Sequence, residues 1–270
     1  MKTRMKAFLA MAAIAGSVCA QESSTPAAPA VKEESPDTGV SFSSTLDIYS
    51  ARVWRGCVIN DEPVWQPGAT VSYATGDYGT LSANVWANFN MTDNLKRSHF
   101  GGVDELAYTL SYAIDVGPMS LSVGHIWYTF PSISDTQYAH STREVYATAA
   151  FNNEIVTPFV KVYYDYEAAE GFYGNAGLTK SFDITDQFSV GAEVSLGAGD
   201  DDYMNCYFAT ADAGLVDFNA ALFCSYAITD NLSVGARIAW MSLLDSDARD
   251  NEVYYDEDSL WGGINLAASF

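Results

Sequence analysis

From residue 40 onward the chain alternates apolar and polar side chains with a period of two, in segments about a dozen residues long. In residues 79–90, Leu81, Ala83, Val85, Ala87 and Phe89 alternate with Thr80, Ser82, Asn84, Trp86, Asn88 and Asn90. Residues 188–196 and 216–226 repeat the pattern, giving strands with one apolar face and one polar or small face. About twelve such strands are expected, at 40–53, 64–75, 79–90, 103–115, 119–130, 142–152, 155–166, 172–183, 187–197, 214–227, 231–242 and 259–270. Each is close to the length a tilted strand needs to cross a bilayer. The connections alternate too: TGD, DVGP, FNNE, DITDQ and AITDN are tight, whereas 54–63, 91–102, 131–141, 198–213 and 243–258 are long and polar. The stretch EAAEG near residue 169 is the exception, shorter than its place in the series requires. A backbone surrounded by lipid has to close on itself so that no peptide group is left unpaired. The expected fold is therefore all-β, a transmembrane antiparallel barrel of about 12 strands with short periplasmic turns and longer outer loops. A soluble β-sandwich fits less well, given the size of the single domain and the regular asymmetry of the loops.

The segments outside the barrel are read by composition. Residues 1–20 have a basic start (Lys2, Arg4, Lys6), a short apolar run and a small-residue ending, Val18-Cys19-Ala20, which together describe a secretory signal peptide. Residues 21–39 are rich in Pro, Ala, Ser and Glu and are expected to form a disordered periplasmic tail. The barrel then occupies 40–270, placing the protein in the outer membrane of a Gram-negative bacterium after the leader is cleaved. No window of 18 apolar residues follows the leader, so no helical span is expected. Without the leader, 10 Lys and Arg stand against 34 Asp and Glu, a net charge of −24. Nucleic acid, which needs a basic face, is excluded as a partner. Outer-membrane lipids and lipopolysaccharide are the expected neighbours, with divalent cations screening the acidic loops.

Catalytic and metal chemistry find little support. A lipid-cleaving barrel needs His and Ser two residues apart on one strand face. His99 and His140 have adjacent serines, on the opposite face, and His125 is followed two residues on by Trp127. No enzyme activity is expected. Zinc would need converging Cys and His, and the carboxylates at 199–203 and 245–259 lack the spacing and glycine of a calcium loop, so neither metal nor cofactor is expected. Cys57 and Cys206 both fall in expected outer loops and are favoured among the three possible disulfide pairings, while Cys224 lies on the apolar face of its strand. The inward polar register instead collects charge: Asp47, Glu105, Glu144, Asp165, Glu193 and Asp217 against Lys161 and Arg237. Two bases cannot neutralise six acids, which points to a water-filled lumen that favours cations. Trp86, inward with Asn84 and Asn88, narrows the pore or stacks a planar solute.

The stretch RVWRGCVINDEPVWQPG at 52–68 carries a further signal. Ser50, Val53-Trp54-Arg55-Gly56, Asp61-Glu62-Pro63 and Gln66-Pro67-Gly68 resemble the N-terminal signature of the TorF family of porins. IWYTFP at 126–131 and the closing WGGINLAASF are similar to two further family stretches, so the resemblance spans the barrel. Ala51-Arg52, Cys57-Val58 and Pro67 depart from the family pattern. The resemblance implies an outer-membrane channel, porin-like, for passive diffusion of small solutes or ions. Terminal Phe270 resembles the signal read by the barrel-assembly machinery. The motif residues Trp54, Arg55, Gly56, Asp61, Pro63, Gln66 and Gly68 are expected at the outer rim, with Trp54 and Trp65 at the membrane boundary and Arg55 facing Asp61, Glu62 or a loop carboxylate. Arg52, out of phase, is expected at a bulge or at lipid headgroups. The alternatives are a closed structural, envelope-integrity barrel with acidic loops and, more distantly, a lipid-modifying enzyme.

Overall fold

A computed structural model describes residues 38–92, 101–131, 141–251 and 256–270. The leader, most of the N-terminal tail, His99 and His140 lie outside the described residues. The strands in chain order are β1 (Thr38–Tyr49), β2 (Arg52–Trp54), β3 (Cys57–Asn60), β4 (Val64–Thr75), β5 (Thr80–Asn90), β6 (Val103–Val116) and β7 (Met119–Thr129). They continue with β8 (Ser141–Phe151), β9 (Thr157–Asp165), β10 (Gly171–Asp183), β11 (Phe188–Gly199), β12 (Gly214–Thr229), β13 (Leu232–Leu243) and β14 (Asp258–Ser269). All but β2 and β3 close into one antiparallel barrel of twelve strands, with β14 pairing back onto β1.

Period-two patterning fixes which face is which. Val40, Phe42, Val71, Leu81, Leu110, Val123, Leu222, Ile238 and Ile264 are all exposed on the outside, an apolar belt of the kind lipid requires. Closure is sealed at the last residue. The Phe270 amide donates to the Phe42 carbonyl at 2.8 Å, and the Phe42 amide donates to the Phe270 carbonyl at 2.9 Å. No described helix is long and apolar enough to cross a membrane.

Local irregularities have local causes. Pro67 has no amide hydrogen, and the β4–β5 ladder skips Gln66 and Pro67 before resuming at Gly68–Trp86. The Gln66 side chain spans the gap, donating to Asn88 Oδ1 at 2.9 Å. The short connection after β9 is explained by Asp165, whose carboxylate accepts from the Glu167 amide at 3.0 Å and the Ala168 amide at 2.9 Å. A carboxylate that caps its own turn replaces a longer loop.

The largest departure from the alternating plan lies between β1 and β4. The first strand is not continuous to residue 53 but ends at Tyr49, and β2 and β3 form a separate two-stranded hairpin. Ala51 through Val58 are all buried. The hairpin is folded into the barrel rather than standing on its rim.

Candidate functional site: a hairpin held inside the barrel

The hairpin turns on two residues, Arg55 and Gly56, with φ of 46° and 80°. Positive φ at both central positions gives the turn whose twist matches the flanking strands. Gly56 tolerates this; Arg55 is strained there. The tip is pressed against the opposite wall, for a Cβ on Gly56 would meet Asp217 Cβ at 3.1 Å, Val216 Cγ1 at 3.2 Å and Leu243 Cδ1 at 3.3 Å. A Gly56→Val substitution is expected to destabilise the docked hairpin by about 1–3 kcal/mol, measured as faster thiol labelling of the underlying Cys57.

Both arginines of the motif point into the lumen. Arg52 Nη2 donates to both Glu105 oxygens at 3.2 Å, and its guanidinium lies 4.8 Å from the Trp86 ring. Beside it, a Cβ on Gly68 would crowd Thr45 Oγ1 at 2.7 Å while only touching the Trp86 ring at 3.6 Å. Arg55 makes a tighter, two-pronged pair with Glu144, at 2.7 and 2.8 Å. Its guanidinium is also ringed by Tyr163 at 4.1 Å, Trp54 at 4.7 Å and Tyr173 at 4.8 Å. Arg55 is 7% exposed and Glu144 is 0% exposed. A planar guanidinium against a carboxylate with aromatic faces around it is the strongest geometry available to this pair.

Polar contacts secure the rest of the hairpin. Asn60 Nδ2 donates to Asn90 Oδ1 at 2.7 Å, and Asn90 Nδ2 donates to Asp104 Oδ2 at 2.7 Å. A helix, Asp201–Phe208, closes over the same space from the connection between β11 and β12. Asp200 caps it by accepting from the Tyr203 amide at 2.9 Å. Tyr203, Met204 and Phe208 are buried, Tyr207 packs edge-on to Trp54 at 5.2 Å, and the Tyr207 hydroxyl donates to Asp165 at 2.6 Å. Burial, reinforced by the negative charge of Asp165, keeps that phenol protonated far above its usual range. Tyr146, Tyr163, Tyr173, Tyr203 and Tyr207 form a chain of ring contacts of 4.7–6.3 Å.

The other expected inward residues take up distinct positions. Asp165 accepts from Thr142 Oγ1 at 2.7 Å, and Asp217 accepts from the Tyr173 hydroxyl at 2.9 Å and from Asn219. Asp47 is fully buried. Glu193 and Arg237 face each other at 3.7 Å, nearer the end with the short turns, and Lys161 lies 5.0 Å from the Phe159 ring. On that side the inward Ser72, Ser82, Ser111, Thr148, Asn175 and Thr179 are only half-buried. Around β4–β6, β8 and β10 the inner wall is polar and partly accessible, whereas the inward Ser122, Ser189, Ser225 and Ser233 of β7 and β11–β13 are buried.

Several expectations are corrected. Trp54, Arg55 and Gly56 lie within the lumen, not at an outer rim, because β2–β3 folds inward; only Asp61 and Pro63 of that group are exposed. Arg55 meets Glu144 instead of Asp61 or Glu62, and of the two alternatives for Arg52 the bulge holds: the register shifts between Arg52 and Val53, and Arg52 meets Glu105, not lipid headgroups. Gln66 and Gly68 are wall residues of β4. Trp86 is buried beneath the Arg52 guanidinium. Cys57 and Cys206 are not joined by a disulfide. Cys57 is 0% exposed in the hairpin with its thiol 3.7 Å from the Arg55 carbonyl, whereas the Cys206 thiol is 3.6 Å from the Ala168 carbonyl. Each is drawn to a different acceptor. The count of two bases against six acids also changes, since Arg52 and Arg55 raise the cations facing those carboxylates to four.

His125 points outward and shares a 2.7 Å hydrogen bond with the Tyr166 hydroxyl, not with a serine. Among the described residues no three His, Cys, Asp or Glu converge to hold a metal. The tyrosine chain escaped the sequence reading, although phase exposes it: Tyr146 stands two residues from Glu144, and Tyr163 stands midway between Lys161 and Asp165.

No protein-family model matches the chain, and no curated protein matches it in sequence. Solved structures do. A crystal structure of an outer membrane channel from Pseudomonas putida F1 aligns with a TM-score of 0.54 at 10% identity, over 86% of this chain and 96% of that one. NanC porin aligns at a TM-score of 0.48 and 11% identity, over 85% and 98% of the two chains. KdgM porin, solved in complex with disordered oligogalacturonate, aligns at 0.47 and 10%, over 85% and 99%. The likeness to the first is one of fold: a barrel of the outer-membrane channel type.

Proposed function

We propose that this chain is an outer-membrane channel of the porin kind, related to the TorF family that its 52–68 motif resembles, passing small polar solutes or ions through a lumen constricted by its own first loop. One observation carries the reading. Inside a wall whose outer face is apolar, the inward Ser72, Ser82, Ser111, Thr148, Asn175 and Thr179 are only half-buried on the short-turn side of the hairpin. A barrel serving only as a scaffold gains nothing from keeping such groups wet, and twelve strands enclose more space than the side-chain-filled eight-stranded type. The bias is cationic but modest, because six carboxylates face four cations and the two arginine–glutamate pairs neutralise each other. The protein acts without enzymatic chemistry, in the outer membrane of a Gram-negative bacterium after its leader is removed. Its acidic loops meet lipopolysaccharide through divalent cations, and Phe270 is read by the barrel-assembly machinery.

Conductance of the refolded protein in planar bilayers tests this. Stepwise channel events are expected, with a reversal potential favouring cations; a silent membrane overturns the channel, and equal permeability of both ion signs overturns the bias. Glu193→Gln, which leaves Arg237 without its facing carboxylate, is expected to move the reversal potential toward zero.

The dense packing of β2–β3 favours a second reading, a closed barrel that stabilises the envelope. It predicts no current under any voltage and loss of membrane integrity when the gene product is removed.

A further inference from the structure

The turn at Arg55 is more strained than a hairpin needs to be. With φ of 46° it occupies a region where asparagine or glycine closes the same two-residue turn with little strain. What the arginine gains is the wall. Glu144 on β8, Tyr163 on β9 and Tyr173 on β10 converge on its guanidinium, with two oxygens at 2.7 and 2.8 Å and ring faces at 4.1 and 4.8 Å. All three belong to the barrel itself, so their arrangement does not depend on the loop. The loop, in turn, has no backbone ladder to the barrel: β2 pairs only with β3, and the hairpin is held there by side chains. The second arginine is held less tightly, by 3.2 Å contacts to Glu105 and a single ring.

We infer that Glu144, Tyr163 and Tyr173 form a recognition site for guanidinium-bearing organic cations, which Arg55 occupies as a resident competitor until an incoming cation takes its place. The transport role rests on the channel reading above; the site does not. Charge explains the selectivity. Glu144 is completely buried, and a buried carboxylate stripped of its partner is strongly destabilising. A neutral or anionic solute that displaced Arg55 would take two charge-assisted hydrogen bonds from Glu144 without replacing its cation, whereas exchange of one guanidinium for another keeps both. Aromatic faces add a preference for flat, weakly hydrated cations over sodium, whose hydration shell these rings cannot replace.

Cys57 reports the exchange without any current. It is fully buried two residues beyond Arg55, and in the mature chain bearing Cys206→Ser and Cys224→Ser it is the remaining thiol. Its rate of maleimide labelling is measured in methylguanidinium and in sodium at matched ionic strength. Methylguanidinium is expected to accelerate labelling by about tenfold once it reaches about ten times its dissociation constant, and Glu144→Gln is expected to abolish that dependence. Equal rates in the two salts, or an acceleration that survives Glu144→Gln, would overturn the site. Guanidinium-dependent labelling in a protein that conducts no current would instead uphold the site and overturn the channel, so the two claims fail separately.

Discussion

Arg55→Ala, with Glu144 left in place, is expected to release the hairpin from the barrel. The substitution removes both hydrogen bonds to a carboxylate that is 0% exposed and removes the cation from a three-ring cage. Breaking a buried pair on one side costs about 3–5 kcal/mol. At about 1.4 kcal/mol per tenfold, Cys57 labelling should rise by two orders of magnitude or more. The Arg55→Ala, Glu144→Gln double variant should recover much of this protection, because the buried charge is then gone, while alanine, which keeps a Cβ, leaves the strain of the turn unchanged. If the double variant labels as fast as the single one, the hairpin is held by the packing of Val53, Trp54 and Val58 rather than by the charge pair. Arg52→Ala is expected to have the smaller effect, as its contacts to Glu105 are longer and Glu105 is less deeply buried.

Replacing residues 52–60 by a short Gly-Ser bridge is expected to raise single-channel conductance several-fold without unfolding the barrel. The β1–β4 ladder runs unbroken from Thr38–Thr75 to Tyr49–Val64 and owes nothing to the hairpin, so closure should survive. Two effects act together. The buried cross-section occupied by β2–β3 opens to water, and the loss of Arg52 and Arg55 leaves, among the described inward residues, Lys161 and Arg237 to balance the six carboxylates. Cation selectivity, read from the reversal potential across a salt gradient, should therefore increase along with the current. An unchanged conductance would mean that the narrowest point lies elsewhere, nearest by geometry at Glu193 and Arg237.

The barrel was legible in the sequence because lipid imposes one rule on every strand. Outward positions are mostly apolar, inward positions are mostly polar, small or aromatic, and a one-residue slip would invert a whole strand. Eleven of the twelve expected segments match observed strands within two residues at each end, and the twelfth, at 40–53, overran because Ala51 and Val53 extend an apolar pattern past Tyr49. The inward orientation of Glu105, Glu144 and Glu193 follows from the same count. The site did not follow. The 52–68 stretch carries turn residues and charges that suit a solvated loop equally well, and nothing local distinguishes a hairpin pointing outward from one pointing inward.

That choice was made by surfaces far apart in the chain. By itself the sequence determined the closed sheet, its even strand number, the face each side chain takes and the excess of acid inside, since these depend on period, length and composition. Only the tertiary structure decided that Arg55 lies against Glu144, 89 residues away, that Trp86 lies beneath Arg52, and that the cysteines stay apart. Charge pairing inside a barrel is set by where a loop is allowed to fall. The loop fell inward because buried carboxylates and tyrosine faces on β8, β9 and β10 offered its arginine more than water did.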